Sequence, residues 1–211
     1  NSRLSMTPNL LLLDVREPHE LEIAAILASM GAHVETADEP DVTFGYDGAT
    51  WDVACKLIYS KSSVTLNDRI EKGITQILAG PSDYGLVCVG ITNRVNHRQF
   101  MPLQEFGDGT HAWGVFGSPD DAAKAMHHTL RKTHKTIAAE SEVRFVRARE
   151  NHKFRGIVTV LHAVVGVGPI ATLLTTTGFI PRAELLGEAI TGPEAFVVKR
   201  WNDRMQDVFA G

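Results

Sequence analysis

The stretch DEPDVTFGYDGATWDVACKLI, residues 38–58, packs aspartates, a proline, a glycine turn and a lysine into one short span. Asp47-Gly48 is a two-residue hairpin signal between apolar runs, so the segment from Asp41 to Tyr59 reads as two antiparallel strands. Folding back across that turn brings Asp41, at the entry of the first strand, beside the end of the second, where Lys56 closes an apolar run. A lysine in such surroundings needs a partner or a task. Carboxylates beside an ammonium group have a chemistry in common. The acids can ligate a hard divalent cation, and the ammonium can orient a water and offset charge on a phosphoryl group. Asp52 shares the face of Lys56 but stands four residues away, about 13 Å along a strand, so it enters the same site only through a bend or bulge. Position 54, two residues before the lysine and on its face, is Ala.

The elements that must position these residues are legible from periodicity. EPHELEIAAILASM (17–30) has Leu21, Ile23, Ala24, Leu27 and Met30 at helical spacing, with Pro18 at its first turn and Gly31 as its stop. AHVET reads as a short strand. A second helix runs from about Leu66 to Leu78 with a stripe of Leu66, Ile70, Ile74 and Ile77. YGLVCVGI is apolar almost throughout and reads as a central strand. Asp120 or Asp121 caps a long helix to about Ala139. VRFV and RGIVTVLHAVV read as strands, with His162 a hydrogen-bonded core residue. AELLGEAI and PEAFVVKRWNDRMQDVF read as terminal helices. The expectation is one α/β domain over residues 1–211, its core at about 17–166 and a helical extension at about 180–209.

Composition removes several classes. The net charge is −4, so no overall basicity points to a polyanion. The distribution is uneven, however. Residues 14–52 carry ten acids and one Arg, whereas residues 120–160 carry nine Lys or Arg against five acids. That pattern fits either ordinary surface or an acidic metal-binding patch beside a phosphate-binding surface. Asn93, Arg94, His97 and Arg98, after a central strand, are candidates for a loop at the rim of the same phosphate-binding cleft. Two cysteines, Cys55 and Cys88, match no zinc spacing and no disulfide framework. His127, His128 and His134 suit solvent or phosphate contact rather than zinc. Neither a leader nor a membrane-length apolar run is evident, and a cytoplasmic location is the expectation.

Two resemblances bear on function. LLLLDVREPHELE, residues 10–22, resembles the opening of a rhodanese, but neither cysteine heads the glycine- and arginine-rich loop which that chemistry needs. The order of elements from about residue 17 to 92 is similar to the PD-(D/E)XK nuclease superfamily, and residues 121–166 continue it. The motifs that carry this similarity are Glu20, Ala24, Leu27, Gly31 and Val34 on and after the first helix, Pro40-Asp41, Lys56, and Gln76 in GITQI. The resemblance implies a restriction-endonuclease-like fold, a mixed central sheet flanked by helices, and endonuclease activity, the hydrolysis of nucleic acid and of DNA first. It implies Mg²⁺ or Mn²⁺ held by Asp41 and Asp52, with Glu20 and the carbonyl of Cys55 as further ligands. Lys56 would orient the attacking water, with Gln76 beside it. The family normally has an acid where Ala54 stands. Asp52 in a distorted strand, or Glu71 on the next helix, is the expected substitute, and a noncatalytic nucleic-acid- or protein-binding module on the same fold is the alternative. Homodimerisation is an expectation from double-strand cleavage by symmetric pairs.

Overall fold

The computed structural model describes residues 18–36, 40–95, 103–105, 111–113, 119–167, 170–190, 192, 194, 195 and 197–200. Its centre is a six-stranded mixed open sheet with helices on both faces, its neighbouring strands in the order 33–36, 42–46, 49–57, 84–90, 154–167 and 170–181. Helix α1 (Pro18–Ser29) starts on its proline and ends at Gly31, whose φ of 88° is open to glycine. Strands β1 (His33–Thr36), β2 (Val42–Tyr46) and β3 (Ala49–Leu57) are successive antiparallel neighbours. Asp47 and Gly48 both have positive φ, 50° and 76°, which matches the right-handed twist of the hairpin they close.

Helix α2 (Ser63–Ala79) then crosses over to β4 (Tyr84–Gly90), which lies parallel to β3. A 3-10 turn at Thr92–Arg94 follows. Beyond it come β5 (Leu103–Glu105) and β6 (His111–Trp113), a separate two-stranded ribbon. Helix α3 (Pro119–Arg144) and the short α4 (Val146–Glu150) return the chain to β7 (Phe154–Val167), parallel to β4. Strand β8 (Ile170–Pro181) pairs antiparallel with β7, and α5 (Arg182–Leu186) follows.

The sheet divides the interior into two layers. Under α1 lie Ile23, Ala24 and Leu27 against Phe44, Trp51, Val53 and Cys55. Under α2 and α3 lie Leu66, Ile70, Ile74 and Met126 against Ala54, Val87, Val89 and Leu161. Residues 51–55 of β3 are therefore buried on both faces. One segment departs from the sequence-based expectation. VRFV is no strand: Val143 is exposed and only Phe145 is buried, as a plug between α3 and α4. The run at 170–181, to which the sequence pattern assigned no element, is a strand, and the helix expected over AELLGEAI is present in part as α5. Of the expected helix at 193–209, only short helical pieces fall within the described residues.

Close approach of α2 to β4 depends on Gly73, where a Cβ would sit 2.7 Å from Val87 Cγ1. Gly73→Ala should therefore lower stability by about 1–3 kcal/mol through overpacking, although alanine favours the helix by about 1 kcal/mol. A double-mutant cycle with Val87→Ala, read by denaturant unfolding, should recover part of the loss; simple additivity would refute this packing account.

Candidate active site

Val42 pairs with Val53, so the next positions of the β2–β3 ladder set Asp41 opposite Ala54 and Pro40 opposite Cys55. Proline has no N–H to donate, and the ladder ends there. The main-chain groups of Cys55 are satisfied by side chains instead. Its N–H donates to Asp41 Oδ2 at 2.6 Å, and its carbonyl accepts from Lys56 Nζ at 3.0 Å.

The same lysine donates to Asp41 Oδ2 at 3.2 Å and to Gln76 Oε1 at 2.8 Å, while Gln76 Nε2 donates to Asp41 Oδ1 at 3.3 Å. Asp41, Lys56 and Gln76, from three elements, thus form one closed knot on the α2 side of the sheet. An ammonium has three protons, and all three of Lys56 have acceptors. The side chains of Asp41 and Lys56 keep 15% and 17% exposure, so solvent or a ligand reaches them.

Asp52 does not join this group. Both ladders of β3 run in register over their whole length, without the bulge that would bring it closer. It is fully buried near the far end of α2, where Ser82 Oγ donates to Oδ1 and Lys153 Nζ lies 3.4 Å from Oδ2. Lys153 also donates to the carbonyl of Gly80 at 2.6 Å, and a Cβ at Gly80 would collide with the Asp52 carboxylate. Asp52 is part of a buried ion pair. Glu71, the other substitute, lines a hollow with Arg144, Phe145 and Arg147 on a different side of α2. Glu20 lies half-buried in the first turn of α1, a helix on the opposite face of the sheet from α2. Among the described residues no group of three or more His, Cys, Asp or Glu is arranged to hold a metal.

A polar cluster on the α1 face was not foreseen. Glu22 Oε2 lies 3.0 Å from His162 Nε2 and 3.6 Å from His19 Nδ1. His162 Nδ1 meets Thr175 Oγ1 at 2.9 Å across the β7–β8 ladder. Burial opposes the charge of Glu22, but hydrogen bonds from His162 and His19, and their positive charge when protonated, hold its pKa down to about 2. The i, i+3 spacing of His19 and Glu22 was visible in the sequence; their partner on β7 was not. His134 is half-buried, with Nε2 2.8 Å from Thr159 Oγ1, and burial lowers its pKa, so it is not a surface phosphate ligand. Cys88 is fully buried, and burial together with Cys55 and Glu22 pushes its thiol well above the usual range. That is unlike a rhodanese nucleophile.

Comparison with protein-family models, with curated proteins and with solved structures finds no match in any of the three.

Two outcomes follow. Lys153→Met strands a buried carboxylate and should cost about 3–5 kcal/mol in denaturant unfolding; adding Asp52→Asn should recover a large part. No recovery would mean that Lys153 acts through packing alone. The low pKa of Glu22 makes its contribution fully present above pH ~4.5 and lost as pH falls toward 2. Glu22→Gln should thus be less stable at neutral pH, with the gap to the native chain closing over that acid window in urea titrations. A gap constant with pH would refute the linkage.

Proposed function

We propose that the chain is a divalent-cation-dependent nuclease of the PD-(D/E)XK kind, hydrolysing phosphodiester bonds in nucleic acid, with DNA as the first substrate to test. The observation that carries the reading is the knot of Asp41, Lys56 and Gln76 at the open end of the β2–β3 hairpin. The element order α1-β1-β2-β3-α2-β4 supports it, since antiparallel strands followed by a helical crossover to a parallel strand match the core order of that superfamily.

The donors at hand fit a cation of limited protein coordination. Mg²⁺ is commonly held by one or two carboxylates with water and substrate phosphate completing its shell. Asp41 supplies a carboxylate and Cys55 a carbonyl, the one that accepts from Lys56 Nζ. A cation bound there would polarise the phosphoryl oxygen and make a water more acidic. The residues of the chain supply the rest. Lys56, released from one of its three acceptors, orients the attacking water and offsets charge in the transition state. Gln76 holds the ammonium toward Asp41 and keeps that carboxylate in place.

A second reading is a noncatalytic nucleic-acid- or protein-binding module on this fold. It is favoured by Ala54, which leaves the strand without an acid two residues before Lys56, and by the complete internal satisfaction of Lys56. Cleavage of single- and double-stranded DNA and RNA with Mg²⁺ or Mn²⁺ separates the two. Lys56→Ala and Asp41→Ala should each lower the rate by about 100-fold or more while remaining folded by circular dichroism. Native-like cleavage by both variants would sink the mechanism. Absence of cleavage by the native chain, with no Asp41-dependent Mn²⁺ binding in calorimetry, would establish the noncatalytic reading.

A further inference from the structure

Where the parallel strands β3 and β4 end, the chain places cations over a second hollow. Lys61 follows β3 and Arg94 follows β4, and both face the first half of α3 across a cleft of about 540 Å³. From α3 the cleft takes Asp121, Lys124, Thr129 and Lys132, whose spacing puts them on one face of the helix. Among the described residues, four cations thus meet one carboxylate, in a chain whose net charge is −4. The sheet order sets this cleft on the β7 side of α2, away from the knot at β2–β3.

Three features point to an anionic ligand. Asp121 is 3.8 Å from Lys124, an exposed pair of little strength, and among the described residues Lys61, Arg94 and Lys132 have no carboxylate partner. Arg94 is anchored through Nη1 to the carbonyl of Ser62 at 3.3 Å, which leaves the rest of its guanidinium fork for a ligand. Its pKa is lowered by burial, as expected of a partly desolvated cation. The position also fits: ligands of open α/β sheets gather outside the carboxyl ends of parallel strands.

The volume lies in the range that encloses a ligand of nucleotide size. We propose that this cleft binds the phosphates of a single strand of nucleic acid, with Arg94 and Lys132 as its main contacts. Its link to cleavage rests on the nuclease reading above, in which the same strand extends across α2 to the knot. The strand runs over a basic cleft that the catalytic residues do not contribute to.

The test uses the full chain with EDTA present, so that nothing is cut, and a short fluorescently labelled single strand followed by anisotropy between about 50 and 200 mM salt. Arg94→Gln and Lys132→Gln should each reduce the salt slope by about 0.7, and the pair should weaken binding about 10-fold or more. Arg94→Lys, which keeps the charge, should retain most of the affinity, and Arg147→Gln with Arg149→Gln on α4 should change little. An unchanged slope in the folded double variant would overturn the proposal, as would an equal loss from the α4 pair. Displacement of the strand by equimolar inorganic phosphate or a nucleoside monophosphate would also overturn it, in favour of a small phosphate ligand. Loss of binding in the cleft variants, beside cleavage unaffected by Asp41→Ala and Lys56→Ala, would leave the cleft standing and remove the proposed active site. The reverse pattern would keep the active site and remove the cleft.

Discussion

Strand β3 is covered by α1 on one face and by α2 on the other, so no polar group on its central residues can turn to water. A buried charge without a partner costs several kcal/mol, and this constraint arranges much of the molecule around the strand. Asp52 takes the serine of the α2–β4 connection and Lys153 from the start of β7, which ties both crossover units to the sheet. The glycine at position 80 follows from the same need, because any larger residue would displace the carboxylate. Four residues further along the same face, Lys56 draws in Asp41 and Gln76. One strand thus carries two ion pairs, both made with other elements, and their separation decides which of them solvent can reach.

Why the second pair is reachable follows from the proline. Pro40 stops the ladder one step beyond Asp41, and there the N–H of Cys55 donates to Asp41 while its carbonyl accepts from Lys56. The open end of a hairpin is therefore also the place where an acid, a lysine and the Cys55 carbonyl converge. Structural satisfaction and chemistry compete for the same atoms. Every proton of Lys56 is taken internally, so contact with a substrate requires one hydrogen bond to be exchanged. That exchange costs about 1.5–3 kcal/mol, the net worth of a hydrogen bond to a charged group, unless the substrate replaces it.

What could be read from the sequence follows the range of the interactions involved. Helical stripes, the Asp47-Gly48 turn and the shared face of Ala54 and Lys56 are local periodicities, and the structure has them where the pattern put them. The approach of Asp41 to Lys56 was legible from the hairpin turn, whereas Gln76 was named only through a family resemblance, because no spacing rule joins a strand entry to a helix 35 residues later. Asp52 and Glu22 were not legible in this way. Each depends on a partner on or beside β7, Lys153 and His162, and sequence patterns carry no information about which distant strand lies nearby. Strand β8 was missed for a related reason. Its TLLTTTG run alternates poorly, and its strand character comes from pairing with all of the preceding β7 hairpin arm. The reading of VRFV failed the other way, since four β-prone residues supplied a local preference that a single buried Phe145 overrode.

Charge shows the same dependence on pairing. The segment 120–160 is rich in Lys and Arg, yet the fold consumes much of that charge. Lys153 is held by Asp52, Arg155 lies 3.4 Å from Glu194 and over the ring of Tyr84, and Arg144 bridges Asp68 and Glu140. A cation neutralised at close range contributes little field beyond about a Debye length, some 8–10 Å in physiological salt. The cations that matter for a polyanion are those left over, and these come from different parts of the chain. Lys61 and Arg94 belong to the acid-richer half and follow two parallel strands, whereas Lys124 and Lys132 share one face of α3. Counting charges over 120–160 finds Lys124 and Lys132 but includes arginines already paired with acids. Arg94 is legible only from its place after a central strand, and nothing local singles out Lys61.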